Sequence, residues 1–228
     1  HNYRATINAE FEGFPQYTTE GAKPTSHYIP RFRNVYRQET DFLRGYAAGF
    51  GAQPNRETNK EGFGAELSNQ LLSTKETGVW NVNSHMMGET IPKESNLVSL
   101  DQEKTDAWGI PLLNIDVDYD DNDEKMIQDF YEQFSEMYEK SGFVNIKTND
   151  NGRRPGNDIH EMGGVRMGKN PKTSLLNAWN QMHECKNVFV TDGACMTSTS
   201  TQNPSLTFMA ITARAANYAI RQMKKGLI

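Results

Sequence analysis

The sequence contains little cysteine, with Cys185 and Cys195 as the two examples among its 228 residues. This number excludes a framework of several disulfides and a zinc site with four cysteine ligands. The two cysteines flank a predicted strand at residues 188–191, which would hold them far apart. We therefore expect two free thiols, each a small buried hydrophobic residue with a structural role.

Basic charge and long apolar runs are also scarce. Lys and Arg total 24 against 29 Asp and Glu, so the net charge is -5 at pH 7. Nucleic acid is not an expected partner, because binding to phosphates needs a basic face. No apolar run approaches the roughly 20 residues that a membrane-spanning helix needs, so no membrane span is expected.

Metal-binding and nucleotide-binding motifs are missing from the sequence. The acidic run Asp116, Asp118 and Asp120 lacks the turn glycine and closing glutamate of a calcium loop, and no His-x-x-x-His pair occurs. We therefore expect no metal site. Two Gly-x-Gly segments, at residues 49–51 and 62–64, lack the third glycine and the preceding hydrophobic strand of a dinucleotide-binding turn. A unit of that kind is not expected within this sequence.

Alternating hydrophobicity and short apolar runs predict several strands. They cover residues 3–11, 79–87, 96–100, 114–119, 143–147 and 188–191. Residues 13–23 are rich in Gly, Pro and Thr, which predicts a loop. The rest of residues 1–75 is assigned only as irregular with short strands.

Two segments have helical periodicity. Residues 121–140 carry an apolar stripe that we interpret as facing the core, with Asp121 or Asn122 as the cap and Gly142 at the end. The stripe consists of Met126, Ile127, Phe130, Tyr131, Phe134, Met137 and Tyr138. Residues 204–225 form the longest predicted helix, with Asn203 as its N-cap. These elements predict a fold that contains both strands and helices.

The most informative motifs lie in the last third of the sequence. Residues 158–168 read DIHEMGGVRMG, and residues 187–219 read NVFVTDGACMTSTSTQNPSLTFMAITARAANYA. This ordered set resembles the C-terminal signature of the glucose-methanol-choline (GMC) family of flavin oxidoreductases. Residues 88–111, which contain GETIP, NLVSL and DAWGIP, resemble the same family and extend the resemblance over residues 78–225.

The resemblance implies that the chain is the C-terminal, substrate-binding part of a longer FAD-dependent enzyme. It also implies an α+β fold, a mixed and largely antiparallel sheet backed by helices, with residues 1–228 as one domain. FAD would be held mainly by an N-terminal Rossmann domain of the same polypeptide, which this sequence lacks, so the chain alone would be inactive. The motifs are most similar to those of sugar dehydrogenases resembling gluconate 2-dehydrogenase or glucoside 3-dehydrogenase. Such an enzyme would oxidise a secondary hydroxyl of a sugar, glycoside or aldonate to a ketone and pass a hydride to flavin N5.

A small subunit or a cytochrome could accept the electrons of such an enzyme. The sequence does not assign a compartment, and a bacterial-type soluble protein in either the cytoplasm or the periplasm fits it. Two other interpretations stay open. One is an alcohol or sterol oxidase of the same family that uses oxygen, and the other is a catalytically silent domain that binds a carbohydrate or a protein partner.

Oxidation of an alcohol requires a base for the hydroxyl proton and a group that holds the oxygen. By the resemblance, His160 is the base, Asn203 binds the same oxygen, and residues 158–225 carry the signature that faces the flavin. The implied flavin contacts are Gly163, Gly164, Asp192, Gly193, Asn203, Pro204 and Ser205. His85 is a further candidate, because its predicted strand could present the side chain to the substrate cavity.

Overall fold

The computed structural model describes residues 1–12, 27–56, 62–72 and 76–228, so the loop predicted at residues 13–23 lies outside the described residues. Its elements are β1 (Ala5–Glu12), β2 (His27–Ile29), β3 (Tyr46–Arg56), α1 (Ala65–Leu72), β4 (Glu76–Gly88), β5 (Leu97–Thr105), β6 (Pro111–Asp116), α2 (Asp121–Lys140), β7 (Val144–Asp150), a 3₁₀ turn (Gly193–Cys195) and α3 (Ser205–Met223).

The strands form two separate sheets. The larger has five strands in the order β2-β3-β4-β1-β7, and each neighbouring pair is antiparallel. The smaller is the antiparallel hairpin β5-β6. With α2 packed against the larger sheet, the predicted α+β class with a largely antiparallel sheet backed by helices is confirmed.

The core lies between α2 and one face of the five-stranded sheet. Strand alternation sends Ala5, Ile7 and Ala9 of β1 into it, and each is at most 2% exposed. Every member of the predicted apolar stripe of α2 lies in or against this core, which confirms the helical periodicity. The hydrophobic contacts of α2 therefore hold in place the sheet whose strand β4 carries His85.

The ends of α2 are set by local chemistry. Its N-cap is Asp120, whose side chain accepts hydrogen bonds from the backbone N–H groups of Asn122 and Asp123, while Asp123 completes a capping box. The expected cap at Asp121 or Asn122 was wrong, because Asp120 is the residue with extended backbone. Gly142 follows the helix with φ 79°, a conformation that favours glycine, so the predicted end is confirmed.

Strand β3 was not predicted. It contains Gly49, Gly51 and Pro54, residue types that are depleted in strands. The strand is stabilised by hydrogen bonds to β2 on one side and β4 on the other, which its composition does not predict. The first of the two Gly-x-Gly segments thus lies inside a strand.

Three expectations for the C-terminal third were wrong. Residues 188–191 form no strand; Phe189 makes one isolated bridge to Gln181. The longest helix of the described chain is α2 with 20 residues, not α3 with 19. Both cysteines are free thiols as expected, but only Cys195 is buried, whereas Cys185 is exposed.

Among the helices of the described ranges, none combines the length and the apolar character that crossing a bilayer takes.

An ion-pair cluster joins the chain before β1 to α2 and β7. The Arg4 guanidinium donates to Asp150 from Nε at 3.3 Å and also pairs with Glu124. The hydrogen bond from Arg4 holds the pKa of Asp150 below its ordinary value of 3.8. Because the folded pKa is depressed, the stabilisation is fully present above pH 3.8 and is lost as the pH falls through the folded pKa.

We expect Asp150→Asn to lower the free energy of unfolding by less than about 1 kcal/mol at neutral pH, since the pair is partly solvated. The difference from the wild type should shrink as the pH falls below 3.8. Urea unfolding of both proteins across that range measures it. A difference that stays constant with pH would contradict this role of the ion pair.

Candidate active site

His160 follows a strained point of the backbone in the irregular segment after β7. Ile159 has φ 58°, an unfavourable conformation for a β-branched residue, and its side chain is 90% exposed. The ring of the next residue, His160, is half-buried. Backbone strain thus occurs directly beside the candidate base.

The two ring nitrogens of His160 have different hydrogen-bond partners. Nδ1 lies 2.8 Å from the carbonyl oxygen of Asp158, and Nε2 lies 3.0 Å from Oδ1 of Asn203. A carbonyl oxygen can only accept, so Nδ1 carries the hydrogen in this arrangement. In the neutral ring, the lone pair is therefore on Nε2, the nitrogen that points to Asn203.

Asp158 anchors the segment that carries His160, and the sequence motif gave it no role. It is 3% exposed, and its carboxylate accepts from Arg153 at 3.2 Å. Burial raises the pKa of Asp158, and the hydrogen bond from Arg153 opposes that rise. The signal that could have identified it is its position two residues before the histidine.

Asn203 is an exposed residue in the loop before α3. The expectation that Asn203 caps this helix was wrong, because Pro204 occupies the N-cap position and makes no side-chain capping bond. The Asn203 amide is therefore available to His160. The pair joins two segments that are 43 residues apart.

A buried carboxylate holds the loop that contains Asn203. Glu89, at 4% exposure, follows β4 and accepts a 2.5 Å hydrogen bond from Oγ of Ser198. Arg31 and Arg44 lie 3.9 and 3.7 Å from the same carboxylate. Sequence reasoning missed this contact, since it joins residues 109 positions apart.

The two motif segments are bound directly to each other. The backbone N–H of Val165 donates to Ala194 at 2.9 Å, and that of Met167 donates to Cys195 at 3.0 Å. A Cβ added at Gly193 would lie 2.8 Å from Sδ of Met162, so glycine permits this close packing. Each motif is thus a structural support for the other.

The other predicted flavin contacts surround this junction. Asp192 is exposed and its carboxylate accepts from the backbone N–H of Ala194, which caps the 3₁₀ turn. Gly163 has φ 92°, and a Cβ there would lie 3.5 Å from the carbonyl oxygen of Met196. Gly164 has open space around its Cβ position, with no described atom within 4 Å.

The first turn of α3 has the properties of an anion-binding end. No side chain caps it, and Ser205 and Leu206 are exposed. The N–H groups of a first helical turn lack intrahelical acceptors, and the helix dipole makes this end positive. An electron-rich ring edge or an oxyanion fits such a position.

His85 is connected to His160 through a row of rings. It stacks on Tyr3 with centroids 5.5 Å apart, and Tyr3 lies 6.2 Å from His160. The ring of His1 lies 4.8 Å from His160. Burial lowers the pKa of His85, which favours the neutral ring. The structure therefore brings His160 and Asn203 into contact and places His85 one ring further away.

Comparison with known proteins identifies relatives of this chain. The sequence model of the GMC oxidoreductase family matches residues 92–212. The chain is 32% identical over 198 residues to a 2-methyl-1,2-propanediol dehydrogenase of Mycolicibacterium austroafricanum, which covers 80% of this chain and 35% of that protein. It is 26% identical to the fructose dehydrogenase large subunit of Gluconobacter japonicus, over 83% of this chain and 35% of that protein.

A third relative is the gluconate 2-dehydrogenase flavoprotein of Pantoea cypripedii, with 31% identity over 56% of this chain and 22% of that protein. The chain thus spans about a third of the length of the first two relatives and less of the third. The family model covers 121 of the 228 residues, from 92 to 212, and contains both His160 and Asn203. The chain belongs to the GMC oxidoreductase family.

Proposed function

We propose that this chain is the substrate-binding and catalytic part of an FAD-dependent oxidoreductase that oxidises a secondary hydroxyl of a sugar or a related polyol to a ketone. One observation carries the proposal: Nε2 of His160 lies 3.0 Å from Oδ1 of Asn203, although the residues are 43 positions apart. The pair joins a proton acceptor to an amide that can hold the same oxygen.

His160 acts as the base at Nε2. The carbonyl of Asp158 keeps the hydrogen on Nδ1 of the neutral ring, so its lone pair is on Nε2, the nitrogen beside Asn203. A substrate hydroxyl beside Nε2 donates its proton there as the carbon loses hydride. The resulting imidazolium keeps its bond to the Asp158 carbonyl.

Asn203 can serve both protonation states by turning its amide. With neutral His160, Nδ2 of Asn203 donates to Nε2 or to the substrate oxygen. With protonated His160, Oδ1 would accept from Nε2, and these two atoms lie 3.0 Å apart. The residue therefore holds the reacting oxygen without competing for its proton, because an amide does not titrate in this pH range.

The candidate flavin-contacting residues fit an FAD ring near the uncapped end of α3. Ser205 and Leu206 would offer N–H groups there, and Gly163 and Gly164 would let the backbone pass close to the ring. Bound FAD supplies a hydride acceptor. We assign most of its binding to an N-terminal part of the same polypeptide, and we assign the final electron transfer to a partner such as a small subunit or a cytochrome.

The names of the relatives support a hydroxylated substrate. Fructose, gluconate and 2-methyl-1,2-propanediol each appear in the name of one matched dehydrogenase. All three compounds carry at least two hydroxyl groups. A polyol-type substrate for this chain is consistent with those names and with a site whose central groups are an imidazole and an amide.

Anaerobic titration of the flavin-loaded, full-length enzyme with fructose, gluconate, simple glycosides and 1,2-propanediol tests the proposal. We expect at least one compound to bleach the oxidised flavin band and to yield a ketone by NMR. Repeating the assay in air distinguishes an oxidase, which would turn over on oxygen alone. Binding of a carbohydrate without any bleaching would overturn the enzymatic proposal in favour of a silent binding domain.

Replacement of Asn203 by alanine should slow flavin reduction by roughly tenfold to a hundredfold, the effect of one hydrogen bond to a charged or charge-developing group. Stopped-flow absorbance of the full-length enzyme measures this rate. Asn203→Asp should not restore it, since a carboxylate would repel the developing oxyanion. A rate unchanged in Asn203→Ala would remove Asn203 from the site.

A further inference from the structure

The face of the five-stranded sheet that α2 leaves uncovered contains a cavity of about 650 Å³. Alternation along the strands sends Ile7, Val82 and Met86 to the core, so their neighbours point to the opposite face. The cavity is lined by residues from β1, β3, β4 and β7, and His85 is one of them. His85 therefore belongs both to this cavity and to the row of rings that leads through Tyr3 to His160.

Amide side chains dominate the floor of this cavity. In the register of β1 and β4, Asn8 pairs with Asn83 and Glu10 pairs with Asn81. Asn83 donates to Oδ1 of Asn8 at 2.8 Å, and no described residue makes a hydrogen bond with Oδ1 of Asn83 or Nδ2 of Asn8. Within the described part of the chain, the Asn81 amide has no side-chain hydrogen-bond partner. Amides both donate and accept, as sugar hydroxyls do.

Two glycines of β3 lie near these amides, one behind the His85 ring and one in the cavity lining. A Cβ at Gly49 would lie 2.5 Å from the His85 ring, so glycine makes room for that ring. At Gly51, opposite Asn83, a Cβ would have no described atom within 4 Å. Glycine weakens a strand interior and often marks a close approach of a ligand. Gly51 therefore leaves bare backbone at the centre of the polar floor.

Charge in the cavity is balanced. Glu10 and Lys147 are its two lining residues with formal charges, and their charges cancel. Glu10 also accepts from Asn145 at 2.6 Å, so its oxygens are partly occupied. Burial lowers the pKa of His85, which keeps that ring neutral at pH 7. These groups fit a neutral hydroxylated ligand better than an anionic one.

We propose that this cavity is a second subsite for a neutral glycoside: it binds the sugar unit next to the one whose hydroxyl faces His160. The inference rests on the proposed function and narrows its substrate class from sugars and related polyols to neutral glycosides. His85 and Tyr3 lie between the two subsites, since Tyr3 contacts the rings of both His85 and His160.

The test compares glucose with cellobiose in the flavin-loaded, full-length enzyme. In Gly51→Leu the added side chain enters the cavity, and in Asn81→Ala one amide is removed. We expect each variant to lower the cellobiose-to-glucose ratio of kcat/KM by about tenfold. Asn81→Ala loses one hydrogen bond to the second sugar unit, and Gly51→Leu fills the space of that unit. Asn149→Ala is the matched control, because this amide on β7 lies outside the cavity lining and should leave the ratio unchanged.

Isothermal titration calorimetry with cellobiose provides a readout that needs no turnover. Weaker cellobiose binding in Gly51→Leu and Asn81→Ala, without flavin reduction by any sugar, would support the subsite and reject the proposed oxidation. An unchanged ratio and unchanged cellobiose binding in both variants would overturn the subsite, even if glucose reduces the flavin. Wild-type binding of cellobiose no tighter than that of glucose, or gluconate binding tighter than both, would overturn it as well.

Discussion

Replacing His160 by alanine in the flavin-loaded, full-length enzyme is expected to slow flavin reduction by about 10²–10⁴-fold, the usual contribution of a positioned general base. The substrate hydroxyl would lose the acceptor that Nε2 provides beside Asn203. The substrate dissociation constant should change little, because the proton moves only during the reaction. Stopped-flow absorbance at a series of substrate concentrations separates the rate from the binding.

His183→Ala is the matched control for this variant. Nε2 of His183 lies 3.2 Å from both Oγ of Ser174 and the carbonyl oxygen of Gly168, so this half-buried histidine has hydrogen bonds of a structural kind. Its loss should lower stability and leave the flavin reduction rate close to that of the wild type. Equal slowing in both histidine variants would mean that His160 supports the structure of the site and does not accept the substrate proton.

Phe130→Ala is expected to lower the free energy of unfolding by about 3–5 kcal/mol, the range for deletion of a buried aromatic ring. Phe130 is 0% exposed at the centre of the core between α2 and the sheet. Its ring lies 5.7 Å from Tyr46 and 4.4 Å from Phe134. Removing it opens a cavity among rings that cannot close together without moving the helix.

Urea unfolding measures this loss, with Phe63→Ala as its matched control. The Phe63 side chain is 93% exposed, so its truncation should change the unfolding free energy by no more than about 0.5 kcal/mol. A small effect at Phe130 would mean that α2 does not supply the core of the sheet. The two phenylalanines therefore test the architecture on which the site depends.

Sequence periodicity was sufficient for α2 but not for β3. The apolar stripe of α2 repeats at helical spacing within one continuous segment, and its members all reach the core. Strand β3 has no such pattern, because it contains Gly49, Gly51 and Pro54. It is stabilised by pairing with β2 and β4 and not by the strand propensity of its own residues. Local patterns show local structure, whereas the pairing of distant strands must be seen in three dimensions.

The same distinction applies to the candidate site. His160 and Asn203 were identified from their motifs, and the structure brings the two side chains together. Residues 188–191 have the hydrophobicity of a strand but make only separate backbone hydrogen bonds to residues 180–182. Met182 donates to Val188, and Val190 donates to Asn180. The contact of Glu89 with Ser198 had no motif of its own, because it is formed only when β4 meets the loop before α3.

Rescue of His160→Ala by imidazole tests the central claim most directly. The rate of flavin reduction would be measured anaerobically in the full-length variant while imidazole is added from solution. If Nε2 of His160 accepts the substrate proton, the rate should be low without imidazole and should rise with its concentration, with no such rise in Asn203→Ala. A His160→Ala enzyme that reduces its flavin at the wild-type rate without imidazole would contradict the account.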